Sequence, residues 1–211
     1  MGQLLALKSV GGDLDRLTAV QRVEEALRVA HKLFGQMAHV DTYDPYDVAR
    51  LRAALPQAKE LVTSGALAEL IDEFTKATQK ATKKQIGQNL AALVAVFPNA
   101  GKSDLGPYGA MLASDVASKY PTFFALEIVC RRLRQTSRFL PSISEVLEAI
   151  SDAEERVKNH HWALDNFQRY LIQTEAYLDQ REDDREAERL RAVERAERRA
   201  RDAETTGRRL P

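Results

Sequence analysis

The chain has 211 residues, with 31 lysines and arginines balanced by 31 aspartates and glutamates, and 44% of its residues are apolar. That apolar share is ordinary for a soluble globular protein, and the zero net charge excludes a dedicated nucleic-acid coat, whose affinity rests on phosphate neutralisation over much of its surface. A single cysteine, Cys130, excludes an intrachain disulfide and points to a cytoplasmic setting.

The first residues, Met1-Gly2-Gln3-Leu4-Leu5-Ala6-Leu7-Lys8, hold an apolar patch too short for the core of an export signal. No apolar run approaches the roughly 18 residues of a membrane span, so no membrane partner is expected. Apolar residues recur three and four apart almost throughout, and no alternating β-branched run appears, so the expected fold is all-α.

Val20, Val23, Leu27, Ala30, Leu33 and Phe34 mark one face of a first helix that should end near Gly35. The loop Asp41-Thr42-Tyr43-Asp44 follows, with Asp44 as a candidate cap and Pro45 suited to a first helical turn. A second helix runs from Tyr46 towards Leu55, with Val48, Leu51 and Leu55 inward, and Pro56 interrupts or restarts it. Leu61, Leu67, Leu70, Ile71 and Phe74 continue the apolar pattern, and Ser64-Gly65 is either a kink or a turn.

Lys76, Lys80, Lys83 and Lys84 would share one side of a helix, a basic stripe that is either a solvated linker or helix face or a contact for phosphates. The next helix places Ile86, Leu90, Leu93, Val94 and Phe97 inward and stops at Pro98. The loop Asn99-Ala100-Gly101-Lys102-Ser103 superficially suggests a nucleotide-binding loop, but Val96 stands where that motif needs its first glycine, and an amphipathic helix precedes it where a strand is required. It reads as a capped connection, with Ser103 or Asp104 as the cap and Pro107 in the first turn of a helix burying Tyr108, Met111, Leu112 and Val116.

Tyr120-Pro121 closes that helix. Another, from Thr122 to about Gln135, buries some combination of Phe124, Leu126, Ile128, Val129 and Leu133, with Cys130 as a small core residue. Its Arg131, Arg134 and Arg138 align, with Arg132 beside them, in a second basic stripe that serves either the helix C-terminus or a partner. After Phe139-Leu140-Pro141, the segment Ser142-Ile143-Ser144-Glu145 is a capping box.

The order of amphipathic helix, short loop, Tyr-bearing helix ending in Tyr120-Pro121, basic helix and Phe139-Leu140-Pro141-Ser142-Ile143-Ser144-Glu145-Val146 resembles the replicative-helicase loader/inhibitor proteins of bacteriophages. The resemblance covers about residues 86–150. It implies a small, helical, non-enzymatic adaptor that binds a hexameric replicative helicase, restrains it and delivers it during DNA replication.

A long last helix follows. Ile143, Val146, Ile150, Ala153, Val157, His160, Leu164, Phe167, Leu171, Thr174 and Leu178 alternate spacings of three and four, the seam of a coiled coil or helical hairpin. A homo-oligomer would form through Ile143, Val146, Ile150, Val157, Leu164, Phe167, Leu171 and Leu178. His160-His161 do not make a metal site, because adjacent helical positions point about 100° apart. Beyond Leu178 the chain is rich in Arg and Glu, a solvent-exposed helix supported by pairs such as Glu194 with Arg198 and Glu197 with Arg201.

The expected organisation is therefore an N-terminal helical region over 1–85, a small loader-like helical bundle over 86–150, and a long charged helix over 151–211. No catalytic constellation, metal cluster or cofactor motif stands out, so the expected function is binding: an adaptor first, and otherwise a nucleic-acid binder using Lys76, Lys80, Lys83, Lys84, Arg131, Arg132, Arg134 and Arg138, or a structural coiled coil.

Overall fold

The computed structural model describes residues 19–38, 45–97 and 105–207. The N-terminal patch, the Asp44 cap, the stop at Pro98, the loop 99–103 and the Ser103 or Asp104 cap lie outside them. Among the described residues there are seven helices and no strand: α1 (Ala19–Ala38), α2 (Pro45–Thr63), α3 (Ala66–Ala77), α4 (Lys83–Ala95), α5 (Leu105–Ser118), α6 (Phe123–Thr136) and α7 (Ile143–Gly207). No described helix is long and apolar enough to cross a membrane.

Two helices continue where the sequence signals a stop. α1 passes Gly35 and ends at Ala38, because Phe34 and Met37 are buried on either side of it. A mid-helix glycine costs about 1 kcal/mol, less than those two side chains contribute by burial. α2 likewise passes through Pro56. The ring removes one backbone donor, yet Pro56 faces solvent while Leu51, Ala54, Ala58 and Leu61 bury the opposite side continuously. Ser64-Gly65, by contrast, is a true turn. Gly65 adopts φ 80°, a left-handed value open to glycine, and its N–H donates to the Val62 carbonyl at 3.2 Å.

The helices form two apolar cores, and α7 runs through both. The first gathers α1, α2 and α3 against Val157, Leu164, Phe167, Leu171 and Leu178 of α7, with Phe124 and Ala125 of α6 joining from the side. The second packs Ile86, Leu90, Leu93 and Phe97 of α4, Leu112 and Val116 of α5, and Leu126, Val129 and Cys130 of α6 against Val146 and Ile150 of α7. The seam is therefore spent inside one chain. This corrects its reading as an oligomer contact: three-four spacing identifies a buried face, and α1 to α6 supply the partners that a second copy would otherwise supply.

Met111, expected to be buried, is exposed. The buried line of α5 is Leu112 and Val116, four apart, with Tyr108 partly buried one turn earlier; Met111 points to the solvent side of that narrow line. Cys130 is a core residue, and burial pushes its thiol pKa up to about 12, which makes it a poor nucleophile.

Candidate functional site

The predicted lysine stripe does not exist as one helix face, because α3 stops at Ala77 and α4 starts only at Lys83. At the end of α3 the Thr78 hydroxyl and backbone N–H both donate to the Phe74 carbonyl, at 2.9 Å and 2.8 Å. Thr82 then starts α4 in a reciprocal box with Gln85. Lys76 is in an exposed ion pair with Asp72 at 2.5 Å, and hydrogen bonding to that carboxylate raises its pKa. Lys80 sits in an isolated antiparallel bridge with Thr122. Lys80, Lys83 and Lys84 remain exposed and form no ion pair among the described residues.

That bridge belongs to a knot that joins the two cores. Ala81 N–H donates to the Pro121 carbonyl at 2.8 Å, and Phe123 N–H donates to the Gln79 carbonyl at 2.9 Å. From α7, Glu154 Oε1 accepts the Thr122 N–H at 2.5 Å, while the Thr122 hydroxyl caps α6 by accepting Ala125 N–H at 3.2 Å. Pro121 and Thr122 are buried, but Tyr120 has φ 49°, an uncommon value for a bulky residue, and its ring is 72% exposed.

The second junction repeats this division of labour. Pro141 is buried, and its carbonyl accepts the Tyr108 hydroxyl at 2.6 Å. Ser142 and Glu145 form the expected capping box: Ser142 N–H donates to Glu145 Oε2 at 2.6 Å and Glu145 N–H donates to Ser142 Oγ at 3.3 Å. The Ser142 backbone N–H holds the Glu145 carboxyl below its usual pKa. Between these fixed points Phe139 is 78% exposed.

The arginine stripe divides. Arg131 is only 17% exposed and forms an ion pair with Glu24 of α1. It is an internal strut rather than part of a binding face, which corrects its predicted role; Glu24 lies 107 positions away, beyond any local pattern. Arg134 is half-buried near Cys130, whereas Arg132 and Arg138 are exposed. Arg132, Arg138 and Phe139 therefore define the α6–α7 corner as the candidate surface. The sequence marks Phe139 only as part of an architectural junction; its exposure is set by the tertiary placement of the buried Pro141 beside it.

A histidine cluster lies where α1, α3 and α7 meet. His160 packs edge-on to His31, with ring centroids 5.1 Å apart, and to Phe74 at 6.1 Å. His161 stacks at a tilt on Phe74 at 4.5 Å, and its Nε2 lies 3.1 Å from the Thr78 hydroxyl. No group of three metal-ligating side chains occurs among the described residues. Burial pushes the His160 pKa down to about 4, helped by His31, Arg156 and His161, and its buried Nδ1 has no hydrogen-bond partner.

A depressed histidine pKa means that the unfolded chain binds the proton first, so stability is full above the ordinary value near 6.5 and falls as pH drops towards 4. With solvent screening of the partly exposed ring allowed for, the loss amounts to about 1–2 kcal/mol. Denaturant unfolding at about pH 7 and about pH 4.5 should show this loss in the native chain and a smaller one in His160→Leu. Parallel losses would assign the acid sensitivity to other groups.

No protein-family model, no curated protein and no solved structure matches the chain.

Proposed function

We propose that the protein is a non-enzymatic adaptor of the helicase-loader type, which engages a replicative helicase through the α6–α7 corner. The observation that carries this reading is the exposure of Phe139 beside Arg138, held out by a buried Pro141 and a closed capping box. An aromatic ring exposed on a rigid corner has no role in either core, and aromatic and arginine side chains are the types that dominate binding energy at protein interfaces. A fixed backbone also reduces the ordering cost of association. Tyr120 offers a second exposed ring at the other proline junction.

The test is co-elution with a purified replicative helicase hexamer at micromolar concentration. The native chain should form a complex, and Phe139→Ser combined with Arg138→Glu should weaken it at least tenfold while leaving the thermal transition unchanged, since both side chains are solvent-exposed. No complex with the native chain would overturn the reading. Binding to DNA that falls steeply with salt and is lost on replacing Lys80, Lys83 and Lys84 with Ala, without any helicase complex, would assign a nucleic-acid role instead.

A further inference from the structure

The bridge between Lys80 and Thr122 joins two basic segments that are far apart in sequence. Lys83 and Lys84 lie three and four positions beyond Lys80, while Lys119 and Tyr120 lie three and two positions before Thr122. At no more than about 3.5 Å per residue, each of these α-carbons is within about 14 Å of the bridge. The four lysines and Tyr120 are all exposed, and none of the lysines forms an ion pair among the described residues. Segments 78–84 and 115–123 carry those four lysines and one acid, Asp115, a net +3. The carboxylates that α7 brings to the knot are engaged: Glu154 accepts the Thr122 N–H, and Glu155 pairs with Lys158.

Lys119 follows the C-terminus of α5, where the helix dipole favours a cation in any case. Lys83 and Lys84 have no such reason. They occupy the first turn of α4, which holds no acid, and the positive end of the dipole disfavours cations there. Thr82 and Gln85 already close the α4 cap without them. Tyr120 is equally unused by the fold, since its ring is 72% exposed and no other exposed large apolar residue lies in either segment. A lone ring among lysines is a poor anchor for a protein groove, because interface hot spots sit among packed neighbours that exclude water. It suits a ligand that brings both negative charge and a flat face of its own. Single-stranded nucleic acid brings both: its phosphates meet lysines, and an unstacked base lies on an aromatic ring. In a duplex the bases cover one another and leave the ring without a face.

We infer that Lys80, Lys83, Lys84, Lys119 and Tyr120 form a contact for single-stranded nucleic acid, with the lysines on phosphates and the Tyr120 ring under one base. The contact is sequence-tolerant, because every base has a face that stacks. It lies at the start of α6, about 20 Å of helix away from the corner that carries Arg138 and Phe139. It adds to the helicase reading and does not rest on it, so either can fail alone. With four charges in a chain of zero net charge, binding is modest and best seen at low salt.

Fluorescence anisotropy of a labelled oligothymidylate with the full chain tests this. Binding should be measurable at low salt, with log affinity falling against log salt at a slope of about −2.8, about 0.7 for each of four phosphates. Lys83→Ala with Lys84→Ala should reduce that slope by about 1.4. Tyr120→Gly removes the ring and suits the φ of 49°, so the chain should melt no lower than the native one. It should bind roughly 5- to 150-fold more weakly with the slope unchanged, the range expected for one lost base stack. Tyr120→Phe should bind like the native chain, as should Phe139→Ser combined with Arg138→Glu. No binding at low salt would overturn the inference, as would native affinity in Tyr120→Gly. Equal affinity for a duplex of the same length would overturn the single-strand assignment. Equal competition by an oligoglutamate of matching charge would overturn it in favour of an acidic protein segment.

Discussion

Leu164→Asp should unfold the N-terminal core rather than dissociate an oligomer. Leu164 is 5% exposed and lies among Leu27, Ala30, His31, Phe34, His160 and Phe167, with no water-sized space between them. Truncating such a leucine costs about 2–5 kcal/mol, and a carboxylate forced into the same place adds a desolvation penalty or takes up a proton. The combined loss reaches much of the roughly 5–15 kcal/mol that holds a typical domain together. Circular dichroism should show a large loss of helix at room temperature, and light scattering should show no drop below the native monomer mass. A fully helical product of reduced mass would mean that the seam packs between chains. Leu190→Asp is the internal control: the same exchange lies 26 positions later in the same helix, on an exposed surface, and should leave the cores intact.

What the sequence could and could not convey follows from what each pattern records. The alternation from Ile143 to Leu178 records a face that must be buried, and Val146, Ile150, Val157, Leu164, Phe167, Leu171, Thr174 and Leu178 are buried. It does not record who buries it. That depended on α1 to α3 folding back onto the second half of α7, and the division at residue 151 fell inside a continuous helix that belongs to both cores. Local breakers do not by themselves decide where these helices end. Gly35 and Pro56 carry local costs that long-range burial offsets, whereas the break at 78–82 is stabilised by contacts with residues 121 and 123 of a distant segment. A lysine pattern that assumes an unbroken helix cannot survive that break.

The site was legible in part. Capping chemistry is local, so Ser142 with Glu145 was correctly identified from four residues. Arg131 was not separable from Arg132 and Arg138 by spacing, because its inward orientation is set by Glu24 on α1. The exposure of Phe139 and Tyr120 was equally hidden: both adjoin prolines whose own burial is a tertiary fact. Aromatic rings are usually counted towards a core, and only the placement of Pro121 and Pro141 shows that these two are left outside.

Phe74→Ala addresses how the two cores communicate. Phe74 is fully buried on α3; its ring meets Phe124 of α6 edge-on at 5.3 Å and His161 of α7 at 4.5 Å. Phe124 belongs to the N-terminal core, but its helix carries Leu126, Val129 and Cys130 into the other. The substitution should cost about 3–5 kcal/mol through lost burial and the residual cavity, including about 0.5–1.5 kcal/mol of aromatic pairing. α6 and α7 are each continuous through both cores, so the loss should lower the urea midpoint of a single transition that helix content and Trp162 fluorescence report together. Trp162 is the only tryptophan in the chain and packs edge-on to Phe34 of α1 at 5.4 Å, which makes it a probe of the N-terminal core. If Trp162 reports an early transition while much of the helix melts later at its native midpoint, the cores are energetically separate, and the hydrogen bonds linking 79–81 to 121–123 serve as a hinge rather than a weld.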